Sequence, residues 1–135
     1  MRILFCTGSI GVIGGIERVT IVKANAFAEV LGAENVAICF TDRGNYPATI
    51  HPLSPGIKVY DLKTPYWQLT SAGALLKGFI PNVLRTRKAI INVVRDFQPD
   101  VIISTGSYEK FALALIPKSR LRDLMGKTAI KVREF

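Results

Sequence analysis

The chain has 135 residues, of which 49% are hydrophobic and 21% are charged, and its formal net charge at pH 7 is +8. This length suits a single domain with a buried core, and the composition is that of a globular protein rather than a disordered one. No run of about 18 apolar residues occurs, and the apolar stretch after Arg2 is about five residues long before glycines follow. The sequence therefore predicts neither a membrane span nor a secretory signal.

The first half of the chain predicts three strands and one helix. Apolar runs at residues 2–7 and 36–40 are typical of buried strands, and the alternation at 57–62 predicts a strand nearer a sheet edge. Residues 17–31 have helical spacing, and Gly32 is suited to end that helix. The side chains expected to face the sheet are Val19, Val22, Ala26 and Val30, with Phe27 and Leu31 beside them, whereas Glu17, Arg18 and Glu29 are expected to face outward.

The middle of the chain predicts a loop and a second long helix. Prolines and glycines in residues 42–56 indicate a loop, and the apolar and aromatic residues of 64–80 predict a loop followed by a short helix. Pro81 is suited to the first turn of a helix that runs to Phe97. The side chains expected to face inward from it are Leu84, Ile90, Ile91, Val94 and Phe97, with the basic residues outward.

The last part predicts two more strands, at 100–104 and 128–132, separated by a short helix at 109–116 that Pro117 ends. Residues 118–125 form a polar and basic connection. The resulting β-α-β-β-α-β-α-β order predicts one domain, residues 1–135, with a Rossmann-like, doubly wound, mostly parallel sheet in three α/β/α layers. Ligands of such sheets bind beyond the carboxyl ends of the strands.

Positive charge is concentrated in the second half of the chain. Residues 1–70 carry six Lys/Arg and five Asp/Glu, whereas residues 71–135 carry twelve and five. This excess favours anionic partners such as phosphorylated substrates, phospholipid surfaces or nucleic acid. A solvated basic face that only aids solubility is the alternative.

The cysteines and the histidine predict no metal site. Cys6 and Cys39 lie within apolar strands and are expected to be buried thiols in a reducing compartment, although neighbouring strands would permit a disulfide between them. His51 lies in a polar, proline-bearing stretch and is expected to be a surface loop residue.

A glycine-rich turn between the first strand and the first helix is the most informative stretch. It runs Gly8-Ser9-Ile10-Gly11-Val12-Ile13-Gly14-Gly15. Glycine lets the backbone approach a ligand closely, and the following helix start offers N–H groups and a positive dipole end, which attract phosphate. The turn predicts a nucleotide or nucleotide-sugar site, and a tight turn with no ligand is the alternative.

This turn also carries a resemblance to a known family. The chain contains the run Gly14-Gly15-Ile16-Glu17-Arg18-Val19, which resembles the Gly-Gly-x-Glu-Arg-Val signature of bacterial glycosyltransferases of the GT-B fold, family 4. Residues 23–28 fit the helix that follows in that family, residues 99–104 resemble its fourth strand, and residues 132–134 look like its next strand. The match covers the whole chain but only the N-terminal half of a full enzyme.

The resemblance implies a mechanism in which two Rossmann-like domains face each other across a cleft. The N-terminal domain holds the acceptor, a glycan or a lipid-linked molecule of cell envelope polysaccharide biosynthesis, and the C-terminal domain binds the nucleotide sugar. No metal or other cofactor is implied, because helix dipoles and basic side chains neutralise the leaving diphosphate. Since the chain stops at Phe135, we expect the donor-binding domain to be absent and the isolated chain to be inactive.

Site residues follow from the resemblance one by one. The backbone of Gly14 and Gly15 is expected to contact the diphosphate or the transferred sugar. Arg18 is expected to pair with an anion, or else with a neighbouring carboxylate on the helix surface, and Glu17 to orient the loop or an acceptor hydroxyl. The acceptor is expected beside Ser104, Gly106, Ser107 and Tyr108. No histidine occupies that turn, so no general base can be named.

Two other functions remain open at the level of the sequence. Thr7-Gly8-x-x-Gly11-x-x-Gly14 also fits the fingerprint of extended short-chain dehydrogenases. However, Asp42 lies 28 residues after Gly14 rather than about 20, and no Tyr-x-x-x-Lys pair occurs.

The other function is that of a non-catalytic basic module that binds a membrane. No nucleic-acid motif is present. The apolar residues of 66–80 and the basic helix after Pro81 favour peripheral binding to an anionic membrane. Alternatively, Trp67, Leu75, Phe79 and Ile80 simply cover the sheet. The expected location is the cytoplasm, peripherally at the inner face of the cytoplasmic membrane.

Overall fold

A computed structural model describes residues 1–7, 15–40, 52–63, 80–104, 113, 115–125 and 131–134. The described residues form a five-stranded sheet with the order β3-β2-β1-β4-β5, and all four strand pairs are parallel. The strands are β1 (Ile3–Thr7), β2 (Val36–Phe40), β3 (Lys58–Asp61), β4 (Val101–Ser104) and β5 (Lys131–Glu134). This sheet confirms the predicted Rossmann-like α/β fold.

Helices cover both faces of the sheet, which explains why every residue of β1 and β2 is buried. Side chains alternate along β1, so that Ile3 and Phe5 face one layer while Leu4 and Cys6 face the other. The first layer contains α1 (Gly15–Leu31) and a short 3-10 helix (Ala33–Asn35). The second contains α2 (Ile80–Phe97) and α3 (Lys118–Met125).

The stripe of α1 that contacts the sheet is not the one that the sequence predicted. Val19, Val22 and Val30 are exposed by 45%, 59% and 81%, and Ala26 is also exposed. The buried side chains of this helix are Thr20, Ile21, Ala24 and Ala28, with Phe27 and Leu31 packed beside the core. Two apolar stripes lie next to each other on this helix, and the sheet accepts the one with two alanines, because small side chains let a helix lie close to a sheet.

The end of α1 agrees with the prediction. Gly32 has a φ of +94°, and its N–H donates to the Ala28 carbonyl at 2.9 Å. Asn35 Nδ2 donates to the Leu31 carbonyl at 2.7 Å. These bonds satisfy carbonyls that the helix end leaves without partners and turn the chain into β2.

The second layer departs from the prediction in two ways. In α2, Ile90, Ile91, Val94 and Phe97 are buried as predicted, but Leu84 is 51% exposed. In its place the helix buries two polar residues, Asn82 and Thr86. Exposure of Arg85, Lys88 and Arg95 follows the prediction, whereas Arg87 is half-buried.

Helix α3 was predicted as a polar connection. It begins directly after Pro117, whose carbonyl accepts the Leu121 N–H at 3.0 Å. Leu121 is 2% exposed and Leu124 packs against the same core, so two leucines at helical spacing are enough to attach the helix to α2.

Some predicted boundaries shift and others cannot be compared. β4 begins at Val101 rather than residue 100, and β5 occupies Lys131–Glu134 rather than 128–132. The predicted helix at 109–116 lies mostly outside the described residues. So do most of the loop at 42–56, including His51, and the segment 64–79.

The amino ends of the strands are tied to the end of α2 through Arg2. Its backbone N–H donates to Asp100 Oδ2 at 2.7 Å, and Nη1 donates to the Phe97 carbonyl at 2.6 Å. The guanidinium also lies 4.6 Å from the centre of the Phe97 ring. The carboxyl end of α2 is therefore fixed at the amino edge of the sheet, and α2 runs antiparallel to the strands.

The lengths of α1 and α2 place the first turns of both helices at the carboxyl edge of the sheet. The 18 residues of α2 span about 27 Å, whereas strands of four or five residues span about 13–17 Å. Because α2 ends at the amino edge, its first turns extend past the carboxyl edge, and the 17-residue α1 does the same on the other face.

Candidate functional site

Among the predicted site residues that the structure describes, Gly15, Glu17 and Arg18 lie at the start of α1, and Ser104 ends β4 at the carboxyl edge of the sheet. β1 ends at Thr7, β4 at Ser104 and β5 at Glu134, and the register pairs Cys6 with Ser104 and Ser104 with Glu134. The connection after β1 leads to the layer of α1, whereas the crossover into β4 passes through α2 on the other face. This change of layer between β1 and β4 is the position at which ligands bind in doubly wound sheets.

The start of α1 lies directly after the glycine-rich turn for which the sequence predicted an anion site. Gly15 is the first residue of α1, so its N–H and those of the next three residues have no partner within the helix. These groups and the helix dipole favour a negatively charged ligand there. Arg18 lies three residues after Gly15, at the end of the same first turn, and is exposed. Glu17 shares this turn, but its side chain and Gly14 are outside the described residues.

The predicted acceptor residues are only partly visible. Ser104 ends β4 and its side chain is 1% exposed. Gly106, Ser107 and Tyr108 lie outside the described residues. The structure thus brings Gly15, Arg18 and Ser104 to one edge of the sheet, and direct contact between these residues and a substrate remains a prediction.

Buried polar side chains mark the same edge, and sequence reasoning missed most of them. Among the residues whose side chains are described, the buried polar ones are Thr7, Thr20, Asn82, Thr86 and Ser104, exposed by 0–5%. Thr7 and Ser104 are the last residues of their strands, and the other three lie in the first halves of α1 and α2.

Burying a polar group is unfavourable unless it is hydrogen-bonded, and Thr86 Oγ1 donates to the Asn82 carbonyl at 2.8 Å. The interior is therefore polar towards the carboxyl edge and apolar elsewhere in the described core. The sequence did contain a signal for these residues. Threonine and asparagine are poor helix formers, so their presence within α1 and α2, which otherwise bury aliphatic side chains, indicates a role in packing or in the site.

An ionic cluster lies towards the amino ends of the strands, away from this site. Lys58 Nζ and the Tyr60 hydroxyl both donate to Asp96 Oδ2, at 2.7 and 2.6 Å. Hydrogen bonds from Lys58 and Tyr60 lower the pKa of Asp96. The bond to Asp96 raises the pKa of Lys58, and burial followed by the bond to Asp96 raises the pKa of Tyr60. The cluster attaches the edge strand β3 to the last turn of α2, which is a structural role.

Neither a metal centre nor a disulfide is found in the part of the chain that the structure describes. No group of three or more His, Cys, Asp or Glu there could hold a metal ion. Cys6 and Cys39 are buried, form no disulfide, and face each other in register on β1 and β2. Adjacent strands would have allowed a disulfide, which the sequence did not favour. None of the described helices is long and apolar enough to span a bilayer.

Comparison with known proteins finds a structural likeness. No family model matches the chain, and no curated protein matches it in sequence. Among solved structures, it is similar to the apo form of the lipopolysaccharide outer core galactosyltransferase WaaB. The TM-score is 0.66 and the identity is 15%, over 99% of this chain and 32% of that one. The chain spans about a third of the length of WaaB, and the likeness shows that this part of WaaB and the chain share one α/β fold.

Proposed function

We propose that this chain is the N-terminal, acceptor-side domain of a GT-B glycosyltransferase of the family 4 type. In this proposal a hexose passes from a nucleotide sugar to a glycan or a lipid-linked acceptor. The observation that carries the proposal is the position of Gly15 and Arg18, two residues of the Gly-Gly-x-Glu-Arg element. Gly15 and Arg18 lie in the first turn of α1 at the carboxyl edge, in a fold that matches WaaB over nearly the whole chain.

The chemistry that this edge supports is stabilisation of a leaving diphosphate. During transfer, the bond between the anomeric carbon and the diphosphate oxygen breaks, a bond from that carbon to an acceptor oxygen forms, and the proton of the acceptor hydroxyl passes to the leaving diphosphate or to water. Negative charge then grows on the diphosphate. Preorganised N–H groups at the start of α1 would stabilise this charge without a metal ion, and the Arg18 guanidinium would add a positive charge nearby.

The buried polar residues at the strand ends fit this role. Thr7 and Ser104 are the last residues of the two central strands from which the glycine-rich turn and the proposed acceptor loop depart. Because their side chains are buried, they would fix the starting points of these loops, with the acceptor bound beside Ser104. Loops that carry binding groups work best when their ends are held by a rigid scaffold.

Completion of the site would require a second, donor-binding domain. The likeness to WaaB covers only a third of that protein, so we propose that this chain transfers no sugar by itself. We also propose a cytoplasmic location at the inner face of the membrane, and Cys6 and Cys39, which form no disulfide, are compatible with the reducing conditions there.

The proposal can be tested on the product of the complete reading frame that encodes this chain. A panel of nucleotide sugars is supplied with a lipid-linked acceptor, and release of the nucleoside diphosphate is measured by a coupled assay. Arg18→Gln is expected to lower the rate by about tenfold, since it removes one charge from the diphosphate site. The control is Lys23→Gln, an exposed cation further along the same helix, which should leave the rate unchanged.

Two results would contradict the proposal. One is the absence of nucleoside diphosphate release with every donor. The other is tight, stoichiometric binding of NADH by this chain, which would favour the dehydrogenase alternative.

A further inference from the structure

Arg87 differs from the other basic residues of α2. Arg85, Lys88 and Arg95 are exposed, whereas Arg87 is half-buried. Its Nε donates to the Leu115 carbonyl at 3.3 Å. A charged side chain loses hydration when it is partly buried, and this loss is offset only when the charge meets suitable partners. The partners of Arg87 therefore indicate what its guanidinium does.

The Leu115 carbonyl has a fixed position. Leu113 and Ile116, on either side of it in the sequence, are exposed by only 6% and 4% and belong to the core that α2 covers. The Ile116 N–H donates to the Leu113 carbonyl at 3.1 Å, which closes a turn around Leu115. Because this carbonyl accepts from Nε, it restricts the rotation of the planar guanidinium of Arg87. The group is thus oriented before any ligand binds.

The hydrogen bond to Leu115 uses one of the five N–H groups of Arg87. The other four belong to Nη1 and Nη2, which form the fork that pairs with a phosphate or a carboxylate. Among the side chains that the structure describes, no carboxylate forms an ion pair with Arg87, and the ion pair found there joins Lys58 to Asp96. The fork of Arg87 can therefore pair with an anionic ligand.

Arg2 at the amino edge provides an internal comparison. It uses Nη1, a nitrogen of the fork, to donate to the Phe97 carbonyl at 2.6 Å, and its guanidinium lies 4.6 Å from the centre of the Phe97 ring. This arginine uses its fork within the fold and has a structural role. Arg87 bonds the fold through Nε instead, which is the arrangement that suits an arginine that binds a ligand.

Arg87 lies at the height of the carboxyl edge of the sheet. It precedes Phe97, at the amino edge, by ten residues of α2, which span about 15 Å. The five residues of β1 and the four of β4 span about 13–17 Å. The backbone of Arg87 is therefore level with the strand ends at Thr7 and Ser104. The connection that leaves Ser104 also includes Leu115, so Arg87 contacts the far end of the connection beside which the acceptor is expected.

We propose that Arg87 binds a phosphate group carried by the acceptor. The two nitrogens of the fork would pair with two phosphate oxygens, and the bond from Nε to the Leu115 carbonyl would hold the fork in position. This inference names the class of acceptor, a phosphorylated sugar or glycan, and it rests on the proposed function for its biological meaning.

The layers of the fold distinguish this phosphate from the diphosphate of the donor. Gly15 and Arg18, at the proposed diphosphate site, belong to α1 in the first layer. Arg87 belongs to α2 in the second layer, on the other face of the sheet. Two arginines in different layers suit two different anions. We therefore assign the donor diphosphate to Arg18 and the acceptor phosphate to Arg87.

The test measures binding of a sugar phosphate to this chain by NMR. The chain is labelled with ¹⁵N, and the Nε–Hε resonance of Arg87 is identified by its loss in Arg87→Gln. The bond to Leu115 should slow exchange of this proton with water and make it observable. The probe is glucose 6-phosphate, and its neutral counterpart is glucose. We expect the phosphate to shift the Arg87 resonance and glucose to leave it unchanged.

Substitutions on α2 separate specific pairing from general attraction to positive charge. Arg87→Gln should raise the dissociation constant of glucose 6-phosphate, measured from backbone amide shifts, by about tenfold. Arg87→Lys should recover only part of the affinity, because an ammonium group keeps the charge but lacks the fork. The matched control is Arg85→Gln, which removes the same charge from an exposed position on the same helix. It should change the constant by less than about twofold, and circular dichroism verifies that each variant is folded.

The full-length protein distinguishes the two sources of phosphate. In the nucleoside diphosphate release assay, Arg87→Gln should leave the KM of the nucleotide sugar unchanged. An increase in that KM would assign the phosphate at Arg87 to the donor and would overturn the inference.

Two results with the chain alone would also overturn it. They are an Arg87 resonance that glucose 6-phosphate does not shift, and equal weakening of binding by Arg85→Gln. Neither result involves a nucleotide sugar, so normal nucleoside diphosphate release beside either of them would contradict this inference alone. Binding at Arg87 in a protein that uses no donor would instead support the phosphate site and contradict the proposed function.

Discussion

The two edges of the sheet are built differently. At the amino edge, hydrogen bonds join parts of the chain that are distant in sequence. Arg2, for example, donates to Asp100 and to the Phe97 carbonyl. At the carboxyl edge, strands end in buried Thr7 and Ser104, and the helices begin beyond them. Long helices attached firmly at one edge leave their N-terminal turns at the other edge, where backbone donors can serve a ligand. We therefore expect substitutions at the amino edge to change stability, and substitutions at the carboxyl edge to change function.

The largest effect is expected at the carboxyl edge, from Gly15→Asp. A carboxylate in the first turn of a helix favours the helix through its dipole but repels a diphosphate. Nucleoside diphosphate release by the full-length protein should fall about 100-fold, while the urea midpoint stays the same or rises. An equal fall in both quantities would show that Gly15 has a structural role only, and the proposed difference between the two edges would then be lost.

Asp100→Ala should produce the next largest effect, at the amino edge. It removes the carboxylate that accepts the Arg2 N–H at 2.7 Å. The free energy of unfolding, measured by urea denaturation, should decrease by about 1.5–3 kcal/mol, as for other hydrogen bonds to charged groups. Asp123→Ala on the exposed side of α3 is the control and should change it by less than about 0.5 kcal/mol. If the Asp100→Ala protein folds but no longer binds nucleotide, the amino edge contributes to function as well as to stability, which contradicts the expected difference between the two edges.

Gly32→Ala tests the turn at the end of α1. The φ of +94° is strained for any residue with a Cβ, so the free energy of unfolding should decrease by about 1–2 kcal/mol. An added Cβ would also lie 2.6 Å from Glu34 Oε1. Because that carboxylate is on a flexible, exposed side chain, adding Glu34→Ala should recover little of the lost stability. Full recovery would mean that side-chain crowding, rather than the backbone, is the cause.

The smallest effect is expected from pH, through the cluster of Lys58, Tyr60 and Asp96. The pKa of Asp96 is lowered in the folded state, so its contribution is present above the unfolded pKa and is lost as pH falls below about 4. The pKa of Lys58 is raised, and its contribution is lost as pH rises above about 10. Both groups are exposed, so the changes should be small.

Asp96→Asn should make the urea midpoint less sensitive to acid than in the unaltered chain. If the acid dependence of the urea midpoint is unchanged in this variant, other carboxylates cause it.

Much of this fold could be predicted from the sequence, because its central strands are continuous apolar runs. β2 was predicted with its observed bounds, Val36–Phe40, and β1 to within one residue. The orientation of α1 could not be predicted, since two apolar stripes compete and only the sheet decides between them. α3 was missed because its attachment depends on Leu121 and Leu124, which are apolar residues in an otherwise polar and basic segment.

The candidate site is a prediction from local chemistry, and the structure describes only some of the elements that would position it. A glycine-rich segment before a helix indicates an anion site from local chemistry alone, and the structure places Gly15 at the first turn of α1. Thr20 and Thr86 were not anticipated, because their burial is a consequence of how α1 and α2 pack on the sheet. Local patterns thus predict where a ligand can approach, whereas the interior that supports the approach emerges only from tertiary packing.

The facing cysteines of β1 and β2 offer a practical reporter of assembly. In the observed register, Cys6 and Cys39 are direct partners on the same side of the sheet, with backbones about 4.8 Å apart. A slip of β2 by one position would turn Cys39 to the opposite side and separate the sulfurs by the thickness of the sheet. A short bifunctional thiol reagent, added during refolding, would therefore link the two strands covalently only in molecules that have aligned them correctly.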